Sequence, residues 1–550
     1  MKKGILQFAE KYMTLFFIFF LALGLRFFHL ATIPNGFHID ELVSGYVGRF
    51  ILLHGKDIYG NPFPLFYFDS FGDYRVIFPF YIEGLSTFLF GVNEFAIRFP
   101  AAFFGSLLVF PVFSFAKLFF KKNSYAIIPA FFVAILPWHI VLSRASSEGV
   151  IGLTVFTTAV VFLLFALQQN NKKLLFFSCV LFASTYFMYP TFRVLTVLAV
   201  LPILFLAKKK MKRVSFLVIV FFILLTGIMS QTVWGKGRLL QTSLFTNKDI
   251  AASITGTNQA YSFDEGQKNI FEARLFHNKI VGYVQIFTQQ YLNYFSTDFL
   301  FVKGGLPYRY TVPSVGLLFV TMGIFLVAIL LPDDIANVPI FYYVFYLLFV
   351  APLVSAITVD DTPNIHRALF MIVPFVLLAS LGAVKLFLIT RKFHRFFAYG
   401  VVALLSLSLL IEFSYFWHQY TNHTASFKSY LRDDGQKEIV EYVAANLSHA
   451  KQIIMTTGDA LPLYYLFYTN NFDPSFAGKF TKPIFIPRIN NITFIKDSCP
   501  ENVINNKALL PGAIIIENGD CDQKAPYQDV KIFYRKDSTK AFKILIPSGD

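Results

Sequence analysis

The chain has 550 residues, 55% of them hydrophobic and 70 of them Phe, with a mean hydropathy of +0.56. No soluble globular chain of this size carries that composition, so the sequence reads as a polytopic α-helical membrane protein. The net charge of +15 sits in short basic clusters between apolar runs, which marks membrane orientation and not a nucleic-acid partner.

The N-terminal stretch MKKGILQFAEKYMTLFFIFFLALGLRFFHL has the charge and apolarity of a signal peptide. No small-residue cleavage site follows, so 12–30 is predicted to be a retained first span. Further apolar runs near 99–119, 124–142, 149–168, 174–189, 193–207, 213–230, 313–331, 338–358, 368–389 and 396–416 bring the expectation to about 11 transmembrane helices. Each is long enough, or nearly so, to cross about 30 Å of hydrocarbon. The run VIFPFYIEGLSTFLFG at 76–91 is short and carries Glu83 in its middle. If it does not cross, the clusters Lys2/Lys3/Lys11, Lys117/Lys121/Lys122, Lys172/Lys173, Lys208/Lys209/Lys210/Lys212/Arg213 and Arg391/Lys392/Arg395 share one side, with Glu10, Asp333 and Asp334 as the acids there. If it does cross, every cluster after the first changes side and the positive-inside rule fails. It is therefore expected as an amphipathic or re-entrant helix on the outer surface.

This topology makes 1–416 a transmembrane domain with a cytoplasmic N-terminus and outer loops at 31–98 and 231–312. Residues 417–550 are expected as a small extracytoplasmic α/β domain. A polar helix (DDGQKEIVEYVAANL) there precedes the short apolar strands KQIIMTT, PIFIPRI, GAIIIENG and FKILIP. It contains neither a Gly-rich phosphate loop nor a nucleophile elbow. Cys179 lies in an apolar run, so only Cys499 and Cys521 remain as partners, and only in an oxidising compartment.

Polar chemistry gathers at the outer ends of the spans. Asp40 and Glu41 in FHIDELVSGY precede a stretch able to form an interfacial helix. They fit either helix capping or a general base that accepts a proton from a hydroxyl. Asp73, Tyr74 and Arg75 in FGDYRVIFPF stand where the 76–91 helix is expected to begin, as a salt bridge with interfacial anchoring or as part of a site. Arg144 and Glu148 in PWHIVLSRASSEGVIG have the spacing of a helical ion pair, yet ionisable groups at a span's edge are also functional candidates. In VDDTPNIHRALF, Asp360, Asp361, His366 and Arg367 precede a span, where a snorkelling anchor and an anion site both fit. Arg193 in MYPTFR and Arg309 in GGLPYRY add two outer-face cations.

Carboxylates and cations on one membrane face suit transfer of a sugar from a lipid phosphate to a hydroxyl. A base takes the acceptor proton while cations stabilise the phosphate leaving group.

Here the residues resemble a family, the GT-C membrane glycosyltransferases, in the branch of protein O-mannosyltransferases and bacterial aminoarabinose transferases. The resemblance rests on Asp40-Glu41 in the first outer loop and on FGDYRVIFPFYIEGLSTFLFGVNEFAIRFPAAFFGSL, which is similar to the family's Lys-Pro-Pro-Leu helix followed by its LFG and R-(L/F)-P-(S/A) signature. PWHIVLSRASSEG and PNIHRALFMIVP resemble the second outer loop and a phosphate-side turn. The resemblance covers roughly residues 1–400. It implies Asp40 as catalytic base with Glu41 as companion, Arg75 where the family usually has Lys, Glu148 as the second-loop acid and Arg98 as the signature Arg. With Arg144, Arg193, His366 and Arg367, the cations Arg75 and Arg98 form the expected donor-phosphate set; Asp73, Tyr74 and Arg309 are further site candidates. Val-Ile-Phe-Pro replaces the family's Pro-Pro-Leu motif, which leaves the donor sugar open. The implied donor is a polyprenyl-phosphate sugar, and the implied acceptor is a protein, glycan or lipid of the cell envelope. No cofactor is implied, and no metal is expected, although the clustered acids would permit a divalent ion.

The other class weighed is a transporter or flippase of a lipid-linked saccharide. Transporters carry midplane charges on broken helices or paired repeats, whereas these charges lie at span ends and no internal repeat is evident. The topology predicts that an impermeant reagent labels a tag at Asp550 from outside and spares a tag at Ser124. Labelling of Ser124 alone would mean that 76–91 spans.

Overall fold

The computed structural model describes residues 2–266, 270–332, 335–446, 450–456, 460–500, 513–522 and 527–547. Asp333, Asp334 and Asp550, used in the topology above, lie outside them. The chain divides into two compact units: Met1–Arg26 with Phe103–Ser143 and Glu148–Trp417, and Phe27–Ala102 with Arg144–Ser147 and His418–Asp550.

The first unit is helical. Across the described residues of the chain, six helices are long and apolar enough to cross a membrane: Glu94–Phe119, Glu148–Gln169, Lys212–Gln231, Val338–Ala356, Leu369–Phe393 and Arg395–His423. A seventh crossing is possible if the pair Asn123–Ile135 and Pro137–Ser143, bent by 54°, counts as one span. Pro137 explains the bend, because its ring disfavours helical geometry at the preceding Leu136, whose ψ is 124°. The expected count of about 11 is therefore not confirmed among the described residues. The runs at 12–30, 193–207 and 313–331 form only the shorter apolar helices Tyr12–Phe27, Thr191–Leu206 and Val320–Leu330. The run at 174–189 forms the 14-residue helix Lys172–Thr185. Apolar sequence continues past Phe27 and Thr185, where turns end the helices, and residues 313–319 ahead of Val320 are largely apolar but not helical. The 76–91 run gives Phe78–Phe90, whose 13 residues are too few to span.

Glu412 lies inside the last long helix, and its apolar surroundings gave no hint of a partner. Its carboxylate accepts the Thr321 amide at 3.1 Å and the Thr321 hydroxyl at 2.5 Å, with the Ser408 hydroxyl at 3.2 Å. It thereby caps the first turn of Val320–Val327 from another helix.

The second unit combines an N-terminal segment with the C-terminal residues. Its six-stranded sheet has the order β4-β5-β3-β6-β8-β7, from β3 (Ile453–Thr456), β4 (Arg488–Ile489), β5 (Ile492–Ile495), β6 (Ile514–Asn518), β7 (Tyr527–Tyr534) and β8 (Lys540–Pro547). β3 runs parallel to both β5 and β6, and the other pairs are antiparallel. Cys499 and Cys521 are disulfide-bonded and join the turns that follow β5 and β6. Helices Gln436–Asn446 and Leu461–Tyr468 pack in the same unit.

The expected division at 416/417 gave 31–98 to the membrane domain as a loop. In the structure that segment shares one core with the C-terminal part, in which Leu42, Tyr46, Phe50 and Phe80 join Leu461, Tyr464 and Ile516. The cause is the helix Ile39–His54. An interfacial helix keeps one face for lipid, but this one buries ten residues around its circumference, from Glu41 to Ile51. A short hairpin follows, β1 (Tyr67–Ser70) with β2 (Asp73–Val76), so Asp73, Tyr74 and Arg75 lie on a strand and not at a helix start. Phe78–Phe90 then crosses Ile39–His54 at Gly48 and Gly84, where backbones touch; a Cβ on Gly48 would sit 1.9 Å from the Phe80 carbonyl oxygen.

That contact predicts that Gly48→Ala lowers thermal stability, by about 1–3 kcal/mol from overpacking, in a detergent melt. Gly400→Ala, inside the helix Arg395–His418 with nothing within 4 Å of the added Cβ, should keep or slightly raise the melting temperature, because Ala is the better helix former. Equal behaviour of the two variants would contradict the crossing.

Candidate active site

In the second unit the site is built from the entry loop of one helix. Arg98 is 1% exposed, and its guanidinium bonds Glu41 Oε2 at 2.9 Å through Nε. Its other nitrogens donate to the carbonyls of Leu30, Pro34 and Gly36 at 3.2, 2.9 and 2.7 Å. One side chain therefore fixes the whole approach to the helix Ile39–His54. Glu41, with its side chain 6% exposed, also accepts the Ser146 amide at 3.2 Å. The Ser146 hydroxyl donates to Glu83, the acid that looked out of place in an apolar run.

Asp40, next to Glu41, differs in kind. Its side chain is 35% exposed, and Arg75 Nη1 reaches both its backbone carbonyl at 2.9 Å and its carboxylate at 3.4 Å. Arg75 in turn lies over the Phe80 ring at 5.2 Å. His38 caps the helix by accepting the Asp40 amide on Nδ1 at 3.1 Å. That nitrogen therefore cannot also donate to the Asp40 carboxylate 3.4 Å away. The Ile39 amide donates to Asp433 Oδ2 at 2.7 Å. Tyr74 packs edge-on against Tyr67 at 5.2 Å, and Asp73 pairs with Ser70 in the hairpin.

Arg144 is also buried. It donates to the carbonyls of Phe28 and Ile33 at 2.5 and 3.0 Å and to the Tyr420 hydroxyl at 3.3 Å. The chain leaves its helix at Ser143 and resumes one at Glu148, so Arg144 and Glu148 do not share the helical turn that an i, i+4 pair requires. Arg98 and Arg144 were expected at a phosphate and Glu41 beside the base. Their burial and internal hydrogen bonds make them groups that hold the loop, because a guanidinium enclosed in this way has no face to offer a lipid headgroup.

In the first unit, Arg193 and Arg367 both line a cavity of about 170 Å³, together with Tyr189, Thr226, Ser230, Trp234's neighbour Gly235, Thr242 and Thr358. Arg193 donates to the Tyr186 carbonyl at 3.2 Å and stacks 4.3 Å from the Trp234 ring. Arg367 is oriented by the Thr358 hydroxyl at 2.7 Å and the Asp360 carbonyl at 2.9 Å. The His366 ring lies 4.7 Å from Tyr189 and 6.0 Å from Tyr310. Gly149, which follows Glu148, sits directly against it. Arg309 stacks on Tyr310 at 5.0 Å and does not line this cavity. Among the described residues, no group of three His, Cys, Asp or Glu could hold a metal ion.

Sequence reasoning missed His38, Glu83, Tyr189, Trp234 and Asp433. Glu83 alone carried a signal, as an acid in an apolar segment. The others acquire their roles from partners distant in the chain.

Residues 75–234 match the family described as dolichyl-phosphate-mannose-protein mannosyltransferase. This agrees with the resemblance read from the sequence, and the matched segment contains Arg75, Arg98, Arg144, Glu148 and Arg193. No curated protein matches. Among solved structures, the chain is similar to the Archaeoglobus fulgidus oligosaccharyltransferase tethered with an acceptor peptide, at 12% identity and a TM-score of 0.46, covering 86% of this chain. It spans 65% of that protein's length. It is also similar to ArnT from Cupriavidus metallidurans, apo and bound to undecaprenyl phosphate. Both of those comparisons give 12% identity and a TM-score of 0.41, cover 99% and 98% of this chain, and cover 98% of ArnT.

The enclosed pair predicts that Arg98→Ala or Glu41→Ala alone destabilises the protein by about 3–5 kcal/mol, the cost of a buried charge left unpaired. Replacing both by apolar residues should cost less than the sum, as a double-mutant cycle on unfolding would show. Strict additivity would contradict a direct pair.

Proposed function

We propose that this protein is an integral membrane glycosyltransferase that moves a sugar from a polyprenyl-phosphate donor to a hydroxyl of a protein, glycan or lipid on the outer face of the membrane. Support comes from the mannosyltransferase match over residues 75–234 and from the apolar helices long enough to span. The observation that carries the reading is the Asp40 carboxylate: partly exposed, beside Arg75, on the first turn of a helix that a buried ion pair immobilises. Such a carboxylate is reachable by an acceptor hydroxyl whose proton it can take, and its helix turn is held in one place.

In this reading the acceptor oxygen attacks the anomeric carbon and its proton passes to Asp40. The bond from that carbon to the phosphate oxygen breaks, and the electron pair leaves with the polyprenyl phosphate. Within the first unit, Arg193 and Arg367, with the hydroxyls of Thr226, Thr242 and Thr358, give their cavity the donors that a phosphate group takes. Tyr189 and His366 stand beside that cavity, and Glu148 adjoins His366 through Gly149. We assign Glu148 to the acceptor side as a second acid. The outer-face placement accords with the Cys499–Cys521 disulfide, which persists in an oxidising compartment.

Asp40→Asn in purified protein supplied with a polyprenyl-phosphate sugar should cut transfer by about 100-fold or more while leaving donor binding intact. Arg193→Ala and Arg367→Ala should each lower transfer by about 100–1000-fold, with weaker binding of polyprenyl phosphate. Normal turnover by Asp40→Asn would overturn the base assignment.

A further inference from the structure

The first turn of the helix that carries Asp40 has its backbone donors accounted for one by one. The Asp40 amide goes to the His38 ring and the Glu41 amide to the His38 carbonyl at 2.8 Å. The Ile39 amide has no local acceptor and is taken by Asp433, nearly four hundred residues away in sequence but within the same compact unit. The Asp433 carboxylate is itself held by the Tyr464 hydroxyl at 3.1 Å, a hydroxyl that also bonds the Phe37 carbonyl just ahead of the helix.

Two further features show that this contact is built and not incidental. Asp433 has φ of +54°, the left-handed conformation in which it ends the turn Ser429–Arg432 and turns toward the Ile39 amide. Its neighbour Arg432 is buried and bonds Asn35 Oδ1 at 3.2 Å and the Phe427 carbonyl at 3.0 Å. Burial pushes the Arg432 guanidinium down to about 10, which leaves it charged at neutral pH. Arg432 and Asp433 therefore grip both ends of the loop Asn35–Ile39, while Arg75 holds Asp40 from the hairpin side.

We infer that Asp433 is a positioning residue for transfer: by capping the Ile39 amide it holds the first helical turn, and with it the Asp40 carboxylate, in its working place. This rests on the reading of Asp40 as base. Without the cap the terminal turn frays, since its amide loses a partner. Displacing a reacting group by about 1 Å can cost on the order of 100-fold in rate.

The test compares Asp433→Ala, Asp433→Asn and Tyr464→Phe with wild-type full-length protein, using a polyprenyl-phosphate sugar as donor. Rates are normalised to the fraction of protein that binds polyprenyl phosphate. Asp433→Ala should lower kcat by about 10–100-fold with KM for the donor unchanged. Asp433→Asn keeps an acceptor oxygen for the amide and should restore most of kcat. Tyr464→Phe should fall between them, and it decides the matter if Asp433→Ala does not fold. Wild-type kcat in Asp433→Ala and Tyr464→Phe overturns the inference, as does an Asn variant as slow as Ala or a rise in donor KM that accounts for the loss. Asp40→Asn is run alongside. If it is inactive while the Asp433 variants are normal, only the positioning role fails; if it turns over normally, the base reading fails and this inference with it.

Discussion

The buried pair of Glu41 and Arg98 is the constraint on which the N-terminal part of the second unit depends. A charge taken out of water is tolerated only with a close counter-charge and its remaining polar atoms satisfied. Here the need is met by drawing three backbone carbonyls of the loop Leu30–Gly36 onto the guanidinium and the Ser146 amide onto the carboxylate. Satisfying one ion pair thus fixes where the loop runs, where the helix begins and where the 144–147 segment sits. Asp40 inherits its place from that arrangement without being buried by it.

The two adjacent acids consequently do different work. Glu41 faces inward and is committed to Arg98, while Asp40 is partly exposed beside the Arg75 guanidinium. An enclosed carboxylate cannot reach a substrate, and a fully solvated one is poorly placed. The partly exposed acid on an immobilised turn combines access with order. The cavity of the first unit follows a similar rule, since Arg193 and Arg367 are each oriented by a carbonyl or hydroxyl and each still lines the open space.

The membrane class, the Asp40–Glu41 pair and the oddity of Glu83 were all legible in the sequence, because composition and an ionisable group in an apolar run are local signals. The number of spans was not, because hydropathy measures apolar length and is blind to the breaks at Leu136–Pro137 and after Thr185. Arg98 and Arg144 were expected at a phosphate and are buried on internal partners instead, because a motif identifies an arginine without saying which way it faces. The joining of 31–98 to the C-terminal residues depends on Leu42, Tyr46 and Phe50 finding Leu461 and Tyr464, a contact that no local pattern encodes. β7 was missed because YQDVKIFY breaks alternation at Gln528-Asp529 and has no apolar run longer than Ile532-Phe533-Tyr534, and Asp433 because a cap in trans has no sequence spacing.

The central claim is that the lipid-linked donor is cleaved and not carried. The most direct measurement reconstitutes the protein in vesicles with a polyprenyl-phosphate sugar labelled in the sugar, adds an acceptor, and follows both products. The account predicts that label moves to the acceptor and that free polyprenyl phosphate appears mole for mole. Intact labelled donor crossing the bilayer with no release of polyprenyl phosphate would contradict it.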